Sequence, residues 1–160
     1  MYPNRSVSFI LIFIRVFVGG VFIYSGWNKL MAPLENFMAV LQGYQFLPLS
    51  LILPVAFLVP WLEFIFGVFL ALGFLTRSSS AVLGAFLMVF VLLLARSLWL
   101  GLPIHECGCF GGGISLSPKQ AIALDSGLLL AALILMGKGK SLLLSLDRRL
   151  NQGVSPIKRV

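Results

Sequence analysis

The chain has 160 residues, of which 59% are hydrophobic and only 11% are charged. A water-soluble domain of this size cannot bury so much apolar side chain, because such domains are normally close to half apolar. The composition therefore excludes an ordinary soluble protein and indicates an integral membrane protein embedded in the lipid bilayer. The net charge of +7 does not require a nucleic-acid partner, since basic residues in membrane proteins mark the cytoplasmic ends of helices.

Four apolar runs predict four transmembrane helices, over roughly residues 7–30, 51–75, 80–100 and 118–136. Each run has close to the 20 or so residues that a helix needs to cross a bilayer. The first run lacks a small-residue cleavage site and is too long for a signal-peptide core, so we expect it to be retained. The fourth has a clear start, with Ser117 as N-cap, Pro118 at the first helical position and Gln120 completing a capping box. The predicted fold class is an all-α, four-helix transmembrane bundle.

Two shorter segments lie outside these runs. The stretch "MAPLENFMAVLQGYQFLPLS" is too short and too polar to span, and it predicts a short interfacial helix from about Leu34 to Leu41 between helices 1 and 2. After the fourth run, "SLLLSLDRRL" is amphipathic and typical of a segment on the membrane surface. We expect one domain over residues 1–150 and a basic cytoplasmic tail over residues 151–160.

The distribution of Lys and Arg predicts the orientation. Positive charge accumulates on cytoplasmic loops, and placing both termini inside puts most basic residues there: Arg5, Arg77, Lys138, Lys140, Arg148, Arg149, Lys158 and Arg159. The opposite side then carries only Lys29 and Lys119. The loop between the third and fourth helices consequently faces outwards. In a protein of the bacterial inner membrane that side is the periplasm, where disulfides persist.

Four ionisable residues fall within the apolar runs: Arg15, Glu63, Arg96 and Asp125. Each costs about 2.5–3.5 kcal/mol at a helix centre on insertion scales, so each should face the bundle interior and have a partner. Depths estimated from the helical rise predict one pair between Arg96 and Asp125 and another between Arg15 and Glu63. Two interpretations stay open. The pairs could only hold the helices in register, or they could line a cavity for a polar ligand such as a quinone head group, with aromatic neighbours such as Trp61.

The stretch "HECGCFGG", residues 105–112, holds the two cysteines and the single histidine of the chain. Cys107 and Cys109 can close a small, strained ring across the intervening glycine. Strained, exposed disulfides are oxidising and labile, which favours a thiol–disulfide exchange site. His105 would lower the pKa of the neighbouring thiol when protonated, and Phe110 begins a compact platform that a protein partner could approach.

Other interpretations of the cysteines remain. His105, Cys107 and Cys109 could bind a soft Cu(I) or zinc ion, although three ligands within five residues are too few and too close for a closed structural zinc site. No resident metal is therefore predicted. The pair could also form a static disulfide in a non-enzymatic scaffold or chaperone, or belong to a carrier of Cu(I) or a small solute.

Several ordered motifs carry a family resemblance. They are "RVFVGGVFIYSGWNKLMAP", which includes Lys29, then "YQFLP", "VPWLEFIFG", "GFLTR" and "CGCFGG", followed by Asp125. This pattern resembles the MauE branch of the DoxX-like membrane proteins. The resemblance implies a four-helix inner-membrane protein of methylamine metabolism that supports maturation of a disulfide-rich client, the small subunit of methylamine dehydrogenase. It also implies a periplasmic thioredoxin-like partner.

The layout is also similar to that of disulfide-generating quinone reductases such as DsbB, which makes a quinone a candidate cofactor. Those enzymes carry a C-x-x-C pair and usually a second pair, whereas this chain has a single C-x-C. We therefore predict a thiol–disulfide redox accessory protein, a candidate oxidoreductase in which Cys107 and Cys109 exchange with the periplasmic partner. The Arg96–Asp125 pair would position the base of the loop, and Arg15 and Glu63 would line the interior cavity.

Overall fold

The computed structural model describes residues 5–101 and 117–138. Within these ranges the chain is all-helical and contains no strand. The five helices are α1 (Arg5–Met31), α2 (Leu34–Gly43), α3 (Leu49–Leu72), α4 (Thr76–Trp99) and α5 (Pro118–Lys138). The predicted fold class of four long helices, with a short helix between the first two, is confirmed.

The four long helices are long and apolar enough to cross a membrane, α1 over Phe9–Met31 and α5 over Pro118–Gly137. Their outer faces carry large exposed side chains such as Phe13, Phe57 and Leu130, which only lipid can shield from water in a stable protein. The chain is therefore a multi-pass membrane protein. Helix bounds agree with the sequence expectation to within about one helical turn, the largest difference being the start of α4 at Thr76 rather than at residue 80.

Glycines let α1 and α3 pack closely in an antiparallel arrangement. A Cβ atom built on Gly19 would lie 2.8 Å from the backbone nitrogen of Ala71, and one on Gly26 would lie 2.8 Å from that of Phe64. From the other side, a Cβ on Gly67 would lie 3.0 Å from the nitrogen of Ile23. Small residues that permit such backbone contact are typical of helix interfaces in membranes, where van der Waals packing drives association.

The second close pair is α4 with α5. Leu94 of α4 clusters with Ala121 at the start of α5, and Gly84 faces Ala132 further along, so these two helices are also antiparallel. Buried apolar side chains from all four long helices join the two pairs in one core: Leu11, Val18, Phe22, Leu70, Leu83, Leu87, Leu128 and Leu135.

The short helix α2 packs at one end of the bundle. Its Phe37 and Leu41 are buried against Ile52 and Ala56 in the first turns of α3, and Tyr44, just after α2, is fully buried in the cluster with Leu94 and Ala121. At this end α1 and α4 finish and α3 and α5 begin; we call it the α2 end. Gly101 and Ser117, which flank residues 102–116, therefore both belong to the α2 end.

The start of α5 partly matches the predicted capping box. The backbone N–H of Ser117 donates to Oε1 of Gln120 at 3.2 Å, which is the expected return contact. The hydroxyl of Ser117 also donates to that oxygen, at 3.0 Å, rather than accepting from the backbone. Gln120 thus supplies both contacts, and the first turn begins at Pro118 as the sequence predicts.

Two adjacent glycines test the close contact between α1 and α3. We expect Gly19→Ala to lower the free energy of unfolding by about 1–3 kcal/mol, because its methyl group would meet α3 backbone and force the helices apart. Gly20→Ala is the matched control, since nothing lies within 4 Å of its Cβ position. Unfolding in detergent, followed by circular dichroism during SDS titration, measures both variants. Equal stability of the two would contradict the packing described.

Candidate functional site

A buried ion pair joins α1 to α3. The ammonium nitrogen of Lys29 lies 2.8 Å from Oε1 and 2.7 Å from Oε2 of Glu63. The hydroxyl of Ser25, one turn before Lys29 on the same face of α1, donates to Oε2 at 3.1 Å. Lys29 is only 5% exposed and Glu63 only 2%. Both carboxylate oxygens thus have a donor, as a buried charge requires.

Two aromatic rings complete the surroundings of the Lys29 ammonium. Phe37 of α2 has its ring centroid 5.1 Å from Nζ, and Phe90 of α4 has its centroid 5.3 Å away. These distances are within the range of cation–π attraction, which strengthens where water is excluded. Four helices, α1 to α4, therefore meet at one charged group.

A small cavity of about 30 Å³ lies beside this ion pair. All four long helices contribute to its wall: Val21, Phe22, Ser25 and Lys29 from α1, Glu63 from α3, Phe86, Leu87 and Phe90 from α4, and Asp125 and Leu128 from α5. Asp125 is buried. The wall thus combines two carboxylates, one ammonium and one hydroxyl with three phenylalanine rings.

The predicted pair between Arg15 and Glu63 is wrong, because Glu63 pairs with Lys29. Arg15 is buried at the opposite end of the bundle, where a Cβ built on Gly73 would lie 2.5 Å from its Nη1. Nε and Nη1 of Arg15 have no hydrogen-bond partner among the described residues. Gly73 ends α3, and a helix C-terminus attracts a cation, so Arg15 is a structural group and does not line the cavity.

Arg96 also departs from expectation, since its side chain is exposed rather than interior. Its Nη1 donates to the backbone carbonyl of Tyr44 at 3.2 Å, which ties the last turn of α4 to the segment after α2. The pair between Arg96 and Asp125 stays a prediction. Trp61 is 45% exposed and does not line the cavity, whose rings are those of phenylalanines.

The cysteine motif lies outside the described residues. The predicted roles of Cys107, Cys109, His105 and Phe110 therefore stay predictions. Over residues 5–101 and 117–138, no group of three or more His, Cys, Asp and Glu side chains is arranged to hold a metal ion.

Sequence reasoning placed Lys29 on the outer side as a supporting residue and missed its partner. It missed Ser25 altogether. The available signal was the spacing of the two polar residues, four apart within an otherwise apolar helix, which puts them on one face. That spacing predicts a shared partner on the neighbouring helix.

The lining of the cavity does not fit a quinone head group. The oxygens of a quinone accept hydrogen bonds and therefore need donors. The cavity instead presents carboxylate acceptors, and the ammonium of Lys29 is already directed at both oxygens of Glu63.

The fold and the cavity define a class: a multi-pass helical membrane protein, with four spans over residues 5–101 and 117–138 and a buried polar centre near one end. The family model described as methylamine utilisation protein MauE matches residues 7–138, which include all four spans. The chain belongs to this family and is a membrane protein related to methylamine utilisation. No curated protein and no solved structure matches it.

The ion pair can be tested by removing one partner. We expect Lys29→Met to destabilise the protein by about 3–5 kcal/mol, because it leaves the Glu63 charge buried without its counter-ion. Thermal unfolding of purified protein in detergent measures the loss. Lys119→Met is the control, since Lys119 is exposed at the same end of the bundle.

A second substitution separates the charge effect from a loss of packing. Adding Glu63→Gln to the Lys29→Met variant removes the orphaned charge, and the double variant should regain part of the lost stability. A Lys29→Met protein as stable as the Lys119→Met control would show that the pair contributes nothing.

Proposed function

We propose that this MauE-family protein is a thiol–disulfide exchange protein of the bacterial inner membrane, acting through Cys107 and Cys109. One observation carries the proposal. The two cysteines stand one residue apart within residues 102–116, a segment whose flanking residues Gly101 and Ser117 belong to the α2 end. Strained, exposed disulfides are the ones that exchange, and the family context in methylamine utilisation supports a role in maturing a disulfide-rich client.

The exchange needs no cofactor when a thioredoxin-like partner supplies the disulfide. One thiolate, of Cys107 or Cys109, attacks the partner's disulfide, which forms a mixed disulfide and releases one partner thiolate. The other cysteine then attacks the mixed bond, closes the Cys107–Cys109 disulfide and releases the second partner thiolate. The chain loses two electrons and the partner gains them. With a reduced client the same steps run in reverse.

The proposed orientation places the α2 end in the periplasm. Four spans bring the start of α1 and the end of α5 to the same side, together with the turn between α3 and α4 that precedes the exposed Arg77. Arg5 and Lys138 stand at these two helix termini. This concentration of basic residues favours the cytoplasm for that side. The cysteine segment would then face an oxidising compartment.

The packing at the α2 end supports a fixed base for the cysteine segment. The bond from Arg96 to the Tyr44 carbonyl holds the last turn of α4, and the Ser117–Gln120 contacts hold the first turn of α5. Exchange is faster when the reacting groups are held in position. His105 is proposed to tune the thiolates, and Phe110 to contact the partner.

The first test measures the redox couple of Cys107 and Cys109 in native membranes. We expect a reversible two-electron couple between roughly −270 and −120 mV, the range of known exchange proteins. Thiol-specific mass tagging across a dithiothreitol series reads out the oxidised fraction. A pair that stays oxidised below about −300 mV would be a structural disulfide and would favour a scaffold instead.

Trapping provides the control for that measurement. One of Cys107→Ser and Cys109→Ser should accumulate a mixed disulfide with a periplasmic protein, because the resolving thiol is missing. The other of these two variants lacks the attacking thiol and should form no mixed disulfide. Absence of a mixed disulfide from both variants would count against exchange.

The orientation has its own test. A membrane-impermeant maleimide should label reduced Cys107 and Cys109 in intact spheroplasts. In a Cys-free background, a single cysteine replacing exposed Arg77 should be labelled only after the membrane is opened. The opposite labelling pattern would show that the α2 end faces the cytoplasm.

A further inference from the structure

Arg15 lies at the end of the bundle opposite the α2 end, and its neighbours there compensate its charge only in part. The residue is 4% exposed, and its Nε and Nη1 have no hydrogen-bond partner among the described residues. The C-terminus of α3, where the guanidinium lies beside Gly73, supplies a partial negative charge of only about one half. A buried cation without full compensation is costly in a membrane protein.

The acidic side chains of the described part of the chain all lie elsewhere. They are those of Glu35, Glu63 and Asp125. Glu35 lies in α2, Glu63 binds Lys29, and Asp125 lines the cavity beside that ion pair. An anion that compensates Arg15 must therefore come from outside this part of the chain.

The turn between α3 and α4, residues 73–75, lies beside Arg15 and leads into a helix start that suits an anion. Leu75, the N-cap residue of α4, makes no side-chain hydrogen bond to the first turn, whose leading N–H groups have no acceptor within the helix. Thr76 is 1% exposed, and its hydroxyl has no hydrogen-bond partner among the described residues. Arg77 and Ser78 follow and are exposed. A helix N-terminus with an arginine beside it favours a phosphate group.

This turn is at the depth of the lipid head groups. Lipid-exposed backbone outside regular helices does not occur within the hydrocarbon region, so residues 73–75 mark the membrane surface on this side of the bundle. Arg15 is level with Gly73, although the candidate span of α1 begins earlier, at Phe9. The charge of Arg15 therefore acts close to the phosphates of adjacent lipids.

We propose that the turn between α3 and α4, together with the start of α4, binds the phosphate of an anionic phospholipid. Arg77 and the leading N–H groups of α4 donate to the phosphate oxygens, and the buried charge of Arg15 attracts the negative head group. A zwitterionic head group fits less well, because its own ammonium competes with the two arginines. The site lies at the end opposite the α2 end and does not rest on thiol–disulfide exchange.

The first test compares the full-length protein in nanodiscs of phosphatidylcholine with and without added phosphatidylglycerol, at constant ionic strength. We expect phosphatidylglycerol to raise the unfolding temperature, because a ligand that binds only the folded state stabilises it. Inorganic phosphate added to phosphatidylcholine nanodiscs should give no such rise. The absence of a phosphatidylglycerol effect would overturn the proposal, and an equal effect of inorganic phosphate would overturn the assignment to a lipid.

Arg77→Gln locates the lipid. Native mass spectrometry with titrated phosphatidylglycerol should show an affinity at least about tenfold below that of the wild type, since charge-assisted bonds to the phosphate are lost. Arg5→Gln is the matched control, because Arg5 begins α1 at the same end of the bundle. It should change the affinity by no more than about twofold, since Arg5 lies well beyond Arg15 along α1 and salt screens its charge. Equal losses in the two variants would indicate general attraction to a basic surface and overturn the site.

Two further variants test the buried charge. Arg15→Met should no longer be stabilised by phosphatidylglycerol, whereas a purely packing role of Arg15 would lower the unfolding temperature equally in both bilayers and overturn its part in the site. Asp147, which follows α5 in the sequence, is the alternative counter-ion. Asp147→Asn should keep the unfolding temperature of the wild type in both bilayers. A clear fall in phosphatidylcholine would assign the compensation of Arg15 to Asp147 and overturn the proposal.

Discussion

The buried ion pair between Lys29 and Glu63 fixes the arrangement of the helices around it. Removing two charges from water costs several kcal/mol per ion, and the attraction between them offsets this only when the geometry is good and every hydrogen-bonding atom is satisfied. Here both carboxylate oxygens of Glu63 accept hydrogen bonds from the Lys29 ammonium, and the Ser25 hydroxyl donates a third. The rings of Phe37 and Phe90 pack against the ammonium. Since these groups come from four helices, a displacement of any of them would leave a charge partly unsatisfied.

The glycines of α1 and α3 make this geometry attainable. Gly26 lies one residue after Ser25 and contacts the α3 backbone around Pro60 and Phe64, immediately beside Glu63. A larger side chain at position 26 would push α1 and α3 apart. The 2.7 Å contact between Lys29 and Glu63 would then be lost. Close packing and charge pairing are therefore one constraint, since the small residues set the distance and the ionic contacts set the register.

Hydropathy was sufficient to predict the fold, because run length and apolar content decide whether a helix can span. The partners of the buried charges could not be predicted in the same way. Depth measured from the helix ends predicts that Arg15 and Glu63 meet. However, α3 extends past the end of α1 to pack against α2, so Glu63 is level with Lys29 rather than with Arg15. The apolar neighbours of Arg96 predict an interior position, yet its long side chain reaches the carbonyl of Tyr44 at the edge of the bundle. The relative depth of two helices and the direction of a long side chain depend on tertiary packing, and no local pattern in a single sequence specifies them.

The buried polar centre and the cysteine segment share two helices. Phe90 and Asp125 belong to α4 and α5, which also flank the cysteine segment, and Lys29 connects Phe90 to the ion pair. A change in how these helices pack around the ion pair would therefore act on the elements from which the segment departs. Thermodynamic linkage then sets a strict relation. If a substitution at the ion pair stabilises the disulfide form relative to the dithiol form, it must shift the redox equilibrium of the cysteines by the same free energy.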